Sequence, residues 1–208
     1  MRLSQTQIHF GSISTSETEI KDILKAWIAI SIAFAVAVGS QNFSAGFYVK
    51  FIIASLTVGV GFLFHEMGHK ITAQRYGCFA EFRSFDNMLL LAIATSFFGV
   101  ILAAPGAVMI SGRVNKKKNG KISAAGPVVN LALALLFLAI VFMNVNVLFK
   151  IIAYYGFMIN SWLALFNMIP FWLFDGRKIL KWNKTAYGSI VAVAFMFMLI
   201  QNFITLPK

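Results

Sequence analysis

This sequence is short of acid. Seven Asp and Glu stand against 18 Lys and Arg, a formal net charge of +11, and all charged residues together make up 12% of 208 positions. A water-soluble domain keeps about a quarter of its residues charged. A chain this poor in charge, 59% hydrophobic and with a mean hydropathy of +0.79, cannot cover itself with a water-compatible surface. The shortage excludes a soluble globular fold and makes lipid the solvent. Cysteine is nearly absent: Cys78 stands alone, which rules out an intrachain disulfide. Internal repeats and low-complexity tracts are also lacking, and no appended soluble domain is expected. The first ~20 residues are polar, without the charged, apolar and cleavage regions of a signal peptide, so no removable leader is expected.

The cations are gathered rather than spread. Arg113, Lys116, Lys117, Lys118 and Lys121 share one short loop between apolar runs. A positive surplus can mark a nucleic-acid binder, but in an apolar chain Lys and Arg collect in cytoplasmic loops. There they add an attraction to anionic lipid headgroups. The expected partner is the lipid bilayer, not nucleic acid, and no residue pattern specifies an oligomer.

A helix needs about 20 mainly apolar residues to cross the hydrocarbon core. Runs at about 23–39, 48–69, 122–144, 151–172 and 187–205 meet that length. A further run, about 88–110, is broken by Gly99, Pro105 and Gly106 and has basic flanks on both sides. A single crossing would put one basic flank outside, against the positive-inside bias. The run therefore reads as a re-entrant or β-hairpin-like segment, which survives at that depth only where protein or a watery cavity covers it. The expected fold is an all-α polytopic membrane protein with five to six transmembrane helices. It comprises a polar N-terminal segment, 1–22, and a single transmembrane domain, 23–208. The N-terminus lies inside, the uncharged Gln41–Gly46 outside, and Lys70, Lys121 and Arg177–Lys184 inside.

Two of the three histidines occur in His65-Glu66-Met67-Gly68-His69, at the inner end of the second run. Four residues along a helix are a rotation of about 40° and a rise of about 6 Å, so both imidazoles share one face. That spacing lets two nitrogens bind one zinc ion while Glu66 acts as general base of a metalloprotease. The pattern would arise by chance in roughly one such chain in a thousand. A polar helix end at the membrane interface is the plain alternative, but a carboxylate within apolar sequence is expensive and functional by default.

A catalytic zinc needs a third protein ligand and an open position for water. Glu17, Glu19 and Asp22 belong to the polar entry to the first helix, and His9 to the N-terminal tail. Cys78, Glu81 and Asp86 follow the second helix, and Asp86 is the runner-up. Asp175 follows the apolar Pro170–Phe174 at the inner end of the fourth run, near the expected depth of His65 and His69. Its alternative is a helix-end carboxylate paired with Arg177 or Lys178. A third cluster is Gly126-Pro127-Val128-Val129-Asn130. Pro127 reads as an early-turn proline and Gly126 as a packing residue. Asn130 needs a partner in lipid and could donate to a substrate carbonyl or to the oxyanion formed on attack.

These motifs resemble the site-2 protease family of intramembrane metalloproteases. The likeness rests on His65–His69, on Ala125–Asn130, and on Asn167-Met168-Ile169-Pro170 leading to Asp175-Gly176. It extends more weakly over Pro105–Ser123, which is similar to the archaeal branch. The resemblance implies a catalytic core at about 48–180, zinc held by His65, His69 and Asp175, and Glu66 as general base. Gly126, Pro127, Asn130, Asn167 and Pro170 fall in its motifs as substrate-binding or supporting positions. It also implies substrates that are single transmembrane helices of other proteins, cut within the membrane during signalling, while the basic loops put the active site towards the cytosolic side. Phe174 departs from the Leu usual before the Asp-Gly pair, and the PDZ or CBS domains of some relatives are not matched.

A helical substrate must unwind before attack, and the apolar 88–110 segment is expected to pair with the unwound stretch by β-augmentation; plain packing as a hairpin is the alternative. Two other functions use the same ligands: a zinc hydrolase acting on a lipid or prenylated substrate, and a metal-ion transporter. A transporter would show polar groups along a full crossing path, whereas here they cluster at one end. A non-catalytic scaffold would have lost ligands that this chain retains.

Overall fold

A computed structural model describes residues 7–11, 13–38, 46–101 and 105–204. The start of the N-terminal segment, most of the expected outer loop at 41–46, residues 102–104 of the 88–110 run, and the C-terminal 205–208 lie outside the described residues. The chain divides into two compact units, Met1–Ser55 with Lys70–Arg113, and Leu56–His69 with Val114–Lys208.

In the first unit, strands β1 (Gln7–Phe10) and β2 (Ile13–Ser16) form an antiparallel hairpin. Helix α1 (Glu17–Ala37) begins at Ser16, whose side chain accepts from Glu19 N–H, with Glu17 and Glu19 in the first turn suiting the helix dipole. Capping chemistry thus starts the helix before the apolar run at 23. Its small residues Ala26, Ala29 and Ala33 are buried, and α2 (Phe47–Ala54) and α4 (Asp86–Ser96) pack against it. Strands β3 (Phe79–Ser84) and β4 (Gly106–Ser111) pair antiparallel, from Phe79↔Ser111 to Ser84↔Gly106. Gly106 lies so close to the buried Phe82 ring that a Cβ there would overlap it.

The run at 88–110 is therefore no crossing. Helix α4 has 11 residues, about 16 Å of helix against a hydrocarbon core of about 30 Å. A turn at 97–99 follows, and the strand beyond it, β4, pairs with β3 rather than with its own run.

Glu19 organises this unit. Fully buried, its carboxylate accepts from Lys70 Nζ at 2.5 Å, Thr15 Oγ1 at 2.7 Å and Phe82 N–H at 2.9 Å. A buried charge persists only when paired and hydrogen-bonded in this way.

The second unit is helical. Helix α5 (Lys116–Phe142) starts at Asn115, which caps Lys118 N–H; α6 (Val147–Asn167) starts at Asn146, which caps Leu148 N–H. The short α7 (Asp175–Trp182) is followed by α8 (Lys184–Ile200), capped by Asn183. Helix α5 packs on α6 and α7, and α8 on α6 and α7. Glycine permits the closest approaches: Phe137 lies over Gly156, and Trp182 over Gly120. Phe157 and Phe197 meet with ring centroids 5.6 Å apart, and Met168, Ile179 and Ile190 form an apolar cluster. Because α5 begins at Lys116, Pro127 sits inside the helix and not in its first turn as expected.

Four segments among the described residues are long and apolar enough to cross a membrane: Phe47–Arg75, Lys116–Phe142, Val147–Asn167 and Lys184–Phe203. The first runs through α2, a π-helical turn at Ser55–Gly59, and α3 (Val60–Arg75). The fifth long helix, α1, carries Lys21, Asp22 and Lys25 in its first turns and falls outside that set. The protein is an all-α polytopic membrane protein, with two small two-stranded sheets among the described residues.

Candidate metal centre

Helix α3 brings the two imidazoles to one face, as the four-residue spacing requires, with ring centroids 4.7 Å apart. Their Nε2 atoms are 3.0 Å from each other. Asp175, the first residue of α7, completes the group: its Oδ2 lies 3.3 Å from His65 Nε2 and 2.9 Å from His69 Nε2. Its other oxygen, Oδ1, is 3.4 Å from Lys178 Nζ, so the ligand role and the ion pair weighed for Asp175 coexist on different oxygens. His65, His69, Glu66 and Asp175 are all buried.

The outer nitrogens fix what the inner ones are. His69 Nδ1 donates to the Ile122 carbonyl at 2.8 Å, and His65 Nδ1 donates to Asn130 Oδ1 at 2.6 Å. A neutral imidazole with its hydrogen on Nδ1 presents a lone pair at Nε2. Two imidazole Nε2 atoms and a carboxylate oxygen thus converge on one point, an arrangement that needs a proton or a metal ion among them. Donors about 2.0–2.1 Å from a tetrahedral zinc are about 3.3 Å apart, close to the edges of 2.9, 3.0 and 3.3 Å found here. The donor set fits zinc. Burial pushes the Asp175 carboxyl up, but when a proton rather than a metal ion occupies the site, the charged His69 and the contacts to both imidazoles outweigh it and hold the group well below the usual carboxylate range. Asp175 is a carboxylate, the form a metal ligand needs.

Glycines make this convergence possible. A Cβ at Gly126 would lie 2.6 Å from His65 Cε1 and Nε2 and 2.6 Å from His69 Cε1, so α5 meets both rings edge-on only without a side chain there. At Gly68 a Cβ would come within 3.0 Å of the Ala125 carbonyl oxygen, and at Gly176 it would overlap Met168. Pro127 has no N–H for the carbonyl of Ser123 one turn earlier, beside the Ile122 carbonyl that receives the His69 hydrogen. In the loop before Asp175, Trp172 adopts φ 43, a left-handed conformation strained for a bulky residue; the Arg177 guanidinium donates to its carbonyl at 3.3 Å.

Asn130 does a different task from the oxyanion donor expected of it. Both hydrogens of its amide are engaged, one with the Gly61 carbonyl and one with Asn160 Oδ1, each at 3.0 Å. Its oxygen serves His65. Asn160 was not singled out in the sequence; its only signal there was an uncharged polar residue in an apolar run. Asn167 closes α6, half-buried, with one amide hydrogen on the Leu163 carbonyl. Pro170 is exposed in the loop after it. The runner-up ligand Asp86 is elsewhere, exposed and paired with Lys25 at 2.6 Å; Glu81 pairs with Arg83. Among the described residues, His65, His69 and Asp175 are the group that can hold a metal ion.

A buried His-His-Asp donor set, with both histidines on a helix apolar enough for lipid, defines a membrane metalloprotein. The chain is 38% identical over 192 residues to a protein of Methanocaldococcus jannaschii named as a candidate zinc metalloprotease, an alignment covering 90% of this chain and 96% of that one. It is 26% identical over 147 residues to a zinc metalloprotease of the same organism, covering 70% of this chain and 37% of the longer relative. No protein-family profile matches the chain, and no solved structure does. The chain belongs to the zinc metalloprotease family, and its cofactor is zinc.

Proposed function

We propose that this membrane metalloprotease works inside the bilayer, as an enzyme of the site-2 protease type that cuts peptide bonds within transmembrane helices of other proteins. The observation that carries the reading is the position of the donor set. His65 and His69 lie within an apolar 29-residue segment long enough to span, His65 about 15 Å of helix before its Arg75 end. The basic residues of Lys116–Lys121 and Arg177–Lys184, in the same unit as His65 and His69, favour a cytosolic placement of the metal centre, in a multi-pass cell-membrane protein.

His65, His69 and Asp175 hold the metal, and bound zinc supplies Lewis acidity, lowering the pKa of a water and polarising the scissile carbonyl. Glu66 takes the proton from the attacking water and returns it to the leaving amine. Burial of Glu66 excludes competing solvent and strengthens its electrostatic action. Asn167, with one amide hydrogen uncommitted by its bond to Leu163, donates to the substrate carbonyl. The unwound substrate pairs beside the exposed Met109 and Ile110 of β4, which supply apolar contact.

The test is cleavage of a single-span substrate by the protein reconstituted in vesicles. Cutting that chelator stops and that Glu66→Gln lowers by about 10²–10⁴-fold, with zinc content unchanged, is the expected result. Hydrolysis of a lipid or prenylated substrate without helix cleavage would replace the reading with the lipid-hydrolase alternative; zinc flux without hydrolysis would replace it with transport.

A further inference from the structure

The two metal-binding imidazoles are oriented by unlike partners. Behind His69 stands the Ile122 backbone carbonyl, which can only accept, so the hydrogen of that ring is forced onto Nδ1. Behind His65 stands a side-chain amide, Asn130, and an amide is ambiguous. Turned over by 180°, it would present its NH₂ to His65 and select the opposite tautomer, with the hydrogen on Nε2 where the metal binds. Something must key Asn130.

The key is a chain of hydrogen bonds across two helices. Asn130 on α5 donates to the Gly61 carbonyl and to Asn160 Oδ1, each at 3.0 Å. Asn160 on α6 in turn donates to the Gly156 carbonyl at 2.9 Å, which fixes its own oxygen towards Asn130. Both asparagines are 0% exposed. Gly61 leaves room for the arrangement: a Cβ there would stand 2.6 Å from Asn160 Oδ1. Each end of the chain is a backbone carbonyl that cannot reverse its role, so the direction propagates to His65.

We infer that Asn160 is a positioning residue of the metal centre: together with the Gly61 carbonyl it keys Asn130, and through Asn130 it holds the His65 tautomer that keeps Nε2 open to zinc. The inference rests on His65, His69 and Asp175 being the metal ligands. Outer partners of ligating histidines typically carry 10–100-fold in metal affinity, and that is the effect expected of Asn160→Leu, which removes the acceptor at nearly constant size. Asn160→Asp, protonated in this buried site, can still accept from Asn130 and donate to Gly156, and should bind zinc within about threefold of the parent.

The experiment measures zinc affinity of the full chain in detergent by chelator competition, with ¹⁵N-histidine NMR of the metal-free protein to read tautomers among its 3 histidines. Weakened binding in Asn160→Leu, with a new Nε2–H signal from His65 and recovery in Asn160→Asp, is expected. Parent-like affinity in Asn160→Leu overturns the inference. So does weakened binding with an unchanged Nδ1–H signal, or equal loss in Asn160→Asp. Should Asn160→Leu not fold, Asn160→Ala carries the same expectation. Asp175→Ala separates the two levels: if it keeps parent affinity, the ligand assignment itself has failed.

Discussion

Adding one methyl group at Gly126 should disable the metal centre, although the local backbone would welcome it. Gly126 lies within α5, where replacing glycine by alanine ordinarily stabilises a helix by about 0.5–1 kcal/mol. The new Cβ, however, would stand 2.6 Å from His65 Cε1 and Nε2 and from His69 Cε1. Carbon atoms rest about 3.5–4.0 Å apart, so the rings and α5 must separate by about 1 Å. Ligand distances at a metal site tolerate about 0.2 Å. Overpacking costs about 1–3 kcal/mol and outweighs the propensity gain. We expect Gly126→Ala to weaken zinc binding by about 100-fold or more, on the scale set by lost ligand geometry, and to stop cleavage. Gly188→Ala is the matched control: it sits in α8 with nothing within 4 Å of its Cβ position, so propensity alone acts. Chelator competition and thermal unfolding in detergent measure both variants. Zinc affinity in Gly126→Ala within about threefold of the parent would show that the imidazoles are not wedged against α5, and the steric argument would be wrong.

Asp175→Ala should lose bound zinc on mild chelator treatment that leaves the parent loaded, since three protein ligands become two; metal analysis after gel filtration checks this. Glu19→Ala should destabilise the protein by about 3–5 kcal/mol by stranding the buried Lys70 ammonium, and Lys70→Met in the same chain should restore part of the loss; melting in detergent reads both. On β3, Phe82 N–H and the Ala80 carbonyl are taken by Glu19 and Gln74, so these residues, and their β4 partners Val108 and Ile110, turn their backbone groups away from the β3–β4 ladder. Ile110→Pro then removes an outward N–H and spares the ladder, and should lower cleavage about tenfold or more with zinc content unchanged if substrate adds at this edge. Met109→Pro should instead disturb the sheet itself.

Composition and spacing alone determined the solvent and the metal. A chain with 12% charged residues has no surface for water, and two histidines one helical turn apart share a face wherever the helix lies, which is a property of the 3.6-residue repeat. Asp175 was legible as an acid stranded beside apolar sequence. What stayed hidden depended on capping and on long-range contact. Ser16 and Asn115 start α1 and α5 upstream of their apolar runs, because a cap is local hydrogen bonding that hydropathy does not register. The 88–110 run is divided between a short helix and a strand whose partner lies upstream of it. The use of an asparagine is even less local. Asn130 and Asn160 are 30 positions apart, and only the packing of α5 on α6 directs one amide's oxygen to a histidine on α3 and its hydrogens away from any substrate. Residue type determines what a side chain can bond; the tertiary structure decides which bond it makes, because direction and distance belong to the packed helices and not to the chain.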